Sequence, residues 1–185
     1  FSLRFQDLRE NFKFTNLKDK KILLTGGTGF FGIWFLSFFQ FLNINHYNVN
    51  IIVISRNPRV FFNKYPEFEK LEWLKFVTGD IKNIELFKIN VDYIIHGATE
   101  TSVLSHSRPI EMLDNILYGT KNILKIAKIN KVKKMLLISS GAVYGPVPEN
   151  IKYVNENQFF AHDPLMNDSA YAQGKVKIIT KSETI

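Results

Sequence analysis

Three glycines spaced three residues apart, Gly26, Gly29 and Gly32, stand where one apolar run ends and another begins. The first run, Lys21 to Thr25, has the length of a buried strand, and the second, Phe30 to Leu42, that of a helix. A strand that turns through glycines into a helix restricts the fold more than anything else in the chain. Gly26 suits the tight turn, Gly29 a close approach of backbone to ligand, and Gly32 a helix lying close on the sheet. Amides at the start of such a helix, those of Phe30 and Phe31 among them, face an anion, so the segment suits the pyrophosphate of a dinucleotide. The G-x-x-G-x-x-G spacing differs from the G-x-G-x-x-G of the usual fingerprint. Taken alone, the glycines read better as a plain turn; the strand before them and the helix after them favour the nucleotide site.

The alternation continues along the chain. Further strands are expected at Asn50–Ser55, Leu74–Thr78, Tyr93–Gly97 and Met135–Ser139. Between them lie a Pro-interrupted region from Asn57 to Lys70, a short helical piece near Ile84–Lys88, and a helix over Pro109–Asn130. Pro109 suits a first turn, and Met112, Ile116, Thr120, Ile123 and Ala127 share one face. Near-continuous apolar strands separated by helices predict an α/β fold, a doubly wound parallel Rossmann sheet covered on both faces. Five strands are counted where the full form has six, and the chain is therefore expected to be part of a longer protein. Residues 1–19 read as an N-terminal extension and residues 20–185 as the NAD(P)-binding domain, incomplete at its C-terminus.

The 185 residues suit one domain, and 45% apolar with 14% aromatic content describes a globular chain. With no cysteine there is neither a disulfide framework nor a thiolate metal site, and the expected compartment is the cytoplasm. Arg4, Arg9, Lys13 and Lys18 interrupt the first 19 residues, leaving no continuous apolar stretch of the secretory kind. The run Phe30 to Leu42 is 13 residues long, short of the ~20 needed to cross a bilayer; no membrane association is expected. The net charge of +7 comes from scattered lysines without a nucleic-acid reader motif, which predicts solvated faces and attraction for small anions rather than a nucleic-acid partner.

Two further segments carry chemistry. Tyr171 and Lys175 are four residues apart in a helix expected from Asp168 to about Ser182, with Asp168 or Ser169 as its cap. That spacing puts both side chains on one face. An ammonium there stabilises a phenolate, and such a tyrosine can exchange a proton with a sugar hydroxyl during hydride transfer; the competing reading is a chance pairing, inert on a surface helix. Ser139 and Ser140 close the fifth strand, at the carboxyl end of the sheet where ligands of open parallel sheets bind; the competing reading has them satisfying turn amides.

Together Thr25–Gly32, Gly79-Asp80-Ile81, His96-Gly97-Ala98-Thr99, Ser139–Gly145 and Tyr171–Lys175 resemble, in order, the extended short-chain dehydrogenase/reductase family, in its nucleotide-sugar epimerase/dehydratase branch. The resemblance covers roughly residues 20–180. It implies that Tyr171 is the catalytic acid or base, that Lys175 tunes it and holds the nicotinamide ribose, and that Ser140 is the catalytic hydroxyl. Gly26, Gly29, Phe30, Phe31, Gly32, Asp80, Ile81, Ala98, Ser139, Tyr171 and Lys175 then fall at cofactor-binding positions. His96 is implied to shape its loop. His46, His106 and His162 have no ligand-like spacing, and no metal is expected. A C-terminal substrate domain, and a homodimer built through the helices Pro109–Asn130 and Asp168–Ser182, are implied for the full-length protein.

The sequence departs from the branch in two places. Dehydratases have acids directly after the catalytic Ser/Thr, where this chain has Gly141 and Ala142. That favours epimerisation or reduction of a nucleotide sugar over dehydration. Asn115 is one residue out of register with the family's asparagine, so no substrate role is carried to it. The second strand ends Ser55-Arg56-Asn57 without the acid that binds the ribose hydroxyls of NAD. Arg56 leans the cofactor toward NADP; the alternative is NAD, with Arg56 stacked on adenine, and the resemblance itself implies a branch that is mostly NAD-linked. Besides epimerase or reductase, the alternatives are a dehydratase and a non-catalytic dinucleotide sensor or scaffold.

Overall fold

Runs of apolar residues facing alternate sides become five parallel strands: β1 (Lys21–Thr25), β2 (Asn50–Ser55), β3 (Leu74–Thr78), β4 (Tyr93–His96) and β5 (Lys134–Leu137). They form one sheet in the order β3-β2-β1-β4-β5, each pair in parallel register. The chain therefore leaves β3 at one edge and re-enters beyond β1, so the strand order reverses between β1 and β4. In open sheets of this kind, that reversal opens a crevice at the carboxyl ends of the strands. The structure is a computed structural model that describes residues 5, 7, 12–84, 89–99, 107–163, 165–166 and 169–182.

Among the described residues four helices cover the sheet: α1 (Phe30–Ile44), α2 (Pro58–Lys64), α3 (Pro109–Ile129) and α4 (Ser169–Ser182). The strand period of two divides the core. Ile22, Leu24, Ile51, Val53 and Ile95 pack under α1 and α2 with Leu36, Phe39 and Phe61. Leu23, Ile54 and Ile94 point the other way, onto Ile123, Ile126 and Ala127 of α3. α4 lies against α3 through Ile178, beside Met112 and Ile116. The sheet is thus wound on both faces, as the sequence predicts.

Between Gly32 and Asn43 no residue of α1 is exposed, and the helix is accordingly apolar around most of its circumference, while Phe30, Phe31 and Ile44 at its ends are exposed. Phe5 is buried on its outer surface, its ring 5.7 to 6.2 Å from those of Trp34, Phe38 and Phe41. Phe14 and Leu17 extend this layer. No helix among the described residues is long and apolar enough to cross a membrane.

Boundaries shift at a few places for identifiable reasons. β4 stops at His96, although the Gly97 amide still donates to Thr25 at 3.1 Å. β5 occupies Lys134–Leu137 rather than Met135–Ser139, since the backbone after Ile138 bends into a 3₁₀ turn, Gly141–Tyr144. α1 continues two residues past Leu42. The region from Asn57 to Lys70 resolves into α2, begun by Pro58 and capped by Asn57, and a 3₁₀ turn at Pro66–Phe68. Most of the helical piece expected near Ile84–Lys88, the Asp168 cap and His106 lie outside the described residues.

Candidate functional site

Two adjoining cavities lie over the carboxyl ends of the strands. The larger, about 550 Å³, is lined by the glycine loop, the ends of β2 and β3, one face of α2 and the loop after β4. The smaller, about 210 Å³, is lined by the start of α1, the end of β5 and the inner face of α4. Gly26, Gly29, Gly97 and Thr99 line both.

The glycines divide the work between them. Gly26 has φ +76°, and a Cβ there would lie 2.6 Å from the Gly97 carbonyl carbon, so both its conformation and its packing require glycine. The Gly29 amide donates to Gly26 O at 3.1 Å, closing the turn. A Cβ on Gly29 would meet only that oxygen, at 3.4 Å. Its open side faces the cavities, and as N-cap it offers no side chain to the first-turn amides of α1. Those amides lack helical acceptors by construction, which leaves a cradle of N–H groups that fits a pyrophosphate. A Cβ on Gly32 would lie 2.3 Å from Gly26 O. The close approach that requires Gly32 is therefore of α1 to its own loop, rather than to the sheet.

Arg56, Asp80, Ile81 and Ala98 all line the larger cavity. Asp80 Oδ1 accepts from the Lys82 amide at 2.9 Å and thereby shapes the turn after β3. Ile81 packs where a Gly119 side chain would otherwise stand, its Cδ1 2.6 Å from that Cβ position. The Ala98 amide donates to Thr25 Oγ1 at 3.2 Å. Behind this loop is a buried polar bridge. His96 Nδ1 lies 2.6 Å from Thr25 Oγ1 and Nε2 3.0 Å from Thr120 Oγ1, tying β1, β4 and α3 together. Burial, reinforced by the charge of Lys175, pushes the imidazole pKa down to about 3, so His96 is neutral at pH 7.

Around the smaller cavity stand Phe30, Phe31, Ser139, Tyr171 and Lys175. α4 brings the last two onto one face, as the spacing predicts, with Lys175 Nζ 5.7 Å from the centre of the Tyr171 ring. Lys175 is only 3% exposed. Its ammonium donates to Thr99 Oγ1 at 2.7 Å and to Ile138 O at 3.1 Å. Desolvation pushes its pKa down to about 8. Ser139 lines the cavity, and its buried hydroxyl has no hydrogen-bond partner among the described residues. Ser140 stands one residue further on and lines neither cavity; its Oγ accepts the Ala142 amide at 3.2 Å, capping the 3₁₀ turn. His162 braces the same turn, 2.9 Å from Ala142 O.

Several lining residues had no role in the sequence reading. Thr99, the acceptor for Lys175, was visible only as a motif member. Asn115, set aside for its register, lines the larger cavity from α3. Lys64 and Tyr65 reach it from the end of α2, and no periodicity signals a wall built by tertiary approach.

Comparison with known proteins agrees with this geometry. A family model described as "NAD dependent epimerase/dehydratase family" matches residues 22–181. UDP-glucose 4-epimerase of Rickettsia bellii (strain OSU 85-389) is 32% identical over 168 residues, covering 89% of this chain and 46% of the relative. The chain thus spans about half the length of the curated relatives it matches. Among solved structures, UDP-N-acetylglucosamine 4-epimerase from Methanobrevibacter ruminantium M1, in complex with UDP-N-acetylmuramic acid, superposes with a TM-score of 0.70 at 25% identity. It is covered over 50% of its chain by 90% of this one. UDP-glucose 4-epimerase from Bifidobacterium longum, in complex with NAD+ and UDP, gives a TM-score of 0.66 at 25% identity over 89% of this chain and 48% of its own.

Proposed function

The chain belongs to the NAD dependent epimerase/dehydratase family, and from that premise we propose that it is the dinucleotide-binding portion of an enzyme that epimerises or reduces a nucleotide-linked sugar. The observation that carries this reading is the meeting of Tyr171 and buried Lys175 in a cavity that shares its wall with the glycine loop. A pure dinucleotide binder needs the loop alone.

The glycine loop and the first amides of α1 would hold the pyrophosphate; Asp80 and Ile81 would flank the adenine, Ala98 would lie where the loop after β4 passes the cofactor, and Lys175 would hold the nicotinamide ribose. When bound, the dinucleotide supplies a hydride acceptor or donor. Tyr171 moves the proton of the sugar hydroxyl at its Oη, Lys175 keeps positive charge beside the phenol, and Ser140, next in the chain to the lining Ser139, positions that hydroxyl with the proton its Oγ retains while accepting the Ala142 amide. No side chain at Gly141 or Ala142 can take part in proton transfer, which favours epimerisation or reduction over loss of water. The end of β2 carries Arg56 and no acid, which favours NADP over NAD. Full-length protein pairs as a homodimer through the outer faces of α3 and α4, where Ile110, Tyr118 and Val176 are exposed.

The experiment is turnover of a panel of nucleotide sugars by full-length protein with each dinucleotide, beside Tyr171→Phe. Loss of the phenolic proton lowers kcat by at least about a hundredfold. Unchanged turnover in the variant removes the assignment; dinucleotide binding without turnover of any sugar by the unaltered protein makes the chain a sensor.

A further inference from the structure

We propose that Thr99 is a positioning residue: its hydroxyl fixes the ammonium of Lys175 at the wall between the two cavities and keeps it charged beside Tyr171. The proposal rests on the reading of Tyr171 and Lys175 as the proton-transfer pair, and it names a residue to which that reading gives no task.

A buried ammonium needs acceptors for its three N–H groups, because burial denies it water. Lys175 is only 3% exposed, and two oxygens of the chain take its donors. Thr99 Oγ1 lies 2.7 Å away, the distance of a charge-assisted bond, and Ile138 O lies at 3.1 Å. The acceptors come from the loop after β4 and the end of β5, and the lysine from α4. Two directions fixed in this way leave a third N–H, on a residue that lines the smaller cavity. Among the described residues no carboxylate forms an ion pair with the ammonium. The titratable groups that face it there are Tyr171, on its own helix, and His96, neutral behind the loop. Two neutral oxygens and the face of the Tyr171 ring therefore offset the desolvation that brings Lys175 down to about 8.

The loop that presents Thr99 is itself held. The Gly97 amide donates to Thr25 O at 3.1 Å and the Ala98 amide to Thr25 Oγ1 at 3.2 Å, so two successive peptides before Thr99 are tied to β1. Thr25 Oγ1 also meets His96 Nδ1, whose other ring nitrogen meets Thr120 on α3. A Cβ on Gly97 would lie 2.9 Å from Ile138 Cδ1, so the loop rests on the residue that supplies the other acceptor. Both acceptors thus stand on backbone packed as one unit, which leaves the ammonium little freedom between them.

Loss of the Thr99 hydroxyl removes a bond made to the charged form, so the proton should leave at lower pH. The measurement is the titration of Lys175 in the chain, followed by NMR of lysine labelled at Cε, with Lys175→Met identifying the signal. In Thr99→Val the midpoint is expected to fall by about one pH unit, and in Thr99→Ser to stay close to that of the unaltered chain. Melting temperatures show that the variants are folded; Thr99→Ala gives the same comparison if Thr99→Val is not. Equal midpoints in the unaltered chain and the variant without the hydroxyl overturn the proposal. A fall in Thr99→Ser as large as in Thr99→Val also overturns it, since packing and not the hydroxyl then holds the lysine. In full-length protein the alkaline limb of the kcat profile is expected to move to lower pH with the lysine midpoint, while KM for the nucleotide sugar changes little. A lysine midpoint that moves under an unmoved kcat profile overturns the part of Thr99 in proton transfer. Failure of the unaltered full-length protein to turn over any nucleotide sugar removes the reading of the pair, while the titration independently upholds or overturns the hold of Thr99 on Lys175.

Discussion

Lys175 and His96 are bases that the fold places away from water, and both resist protonation for that reason. Burial holds Lys175 at about 8, against an ordinary value near 10.4. Burial and the neighbouring ammonium hold His96 at about 3. In each case the unfolded chain binds a proton that the folded chain refuses, so stability rises with pH across the interval between the two values. For His96 the interval lies below pH 6.5: its share of stability is fully present above that value and is lost toward pH 3, by about 1 kcal/mol per unit. For Lys175 the interval lies between pH 8 and about 10.4, and its share grows as the ammonium is neutralised. Urea unfolding from pH 7 to 4 should show a shallower decline for His96→Gln than for the unaltered chain. Lys175→Met should flatten the rise between pH 8 and 10. Parallel curves for variant and parent would mean that neither base is held neutral by the fold.

At the scale of elements, the turn from β1 into α1 separates two glycine requirements that the sequence presents as one motif. A methyl on Gly32 would lie 2.3 Å from backbone oxygen and must push α1 away from its loop. A methyl on Gly29 meets one oxygen at an ordinary distance and otherwise stands in the cavity. Gly32→Ala is therefore expected to cost about 2 kcal/mol or more in stability. Gly29→Ala should cost under about 1 kcal/mol yet abolish dinucleotide binding; thermal melts and titration with NAD and NADP distinguish the two. The elements themselves were legible because buried strands read as apolar runs: β1 and β2 fall on the residues expected, and so does β3, although it is a half-exposed edge strand interrupted by Lys75. The Tyr171–Lys175 pairing was legible because helical spacing is a local fact. The walls of the cavity were not. Lys64 and Asn115 are brought together by tertiary packing. The adjacent serines looked equivalent until the backbone after β5 turned, engaging the Ser140 hydroxyl and leaving Ser139 facing the cavity.

Across the whole molecule, the layer formed by Phe5, Phe14 and Leu17 fastens the segment before β1 onto the far side of α1 from the sheet. Phe5→Ala removes a ring packed against three others and is expected to lower stability by about 3 kcal/mol. Dinucleotide affinity, measured where the variant is still folded, should be unchanged, because Phe5 lines neither cavity. The wall common to the two cavities has the opposite character. Thr99 and the glycine loop face both spaces, and Thr99 also anchors the buried ammonium. A side chain altered at that wall changes both spaces at once, so a substitution made for the occupant of one is felt by the occupant of the other.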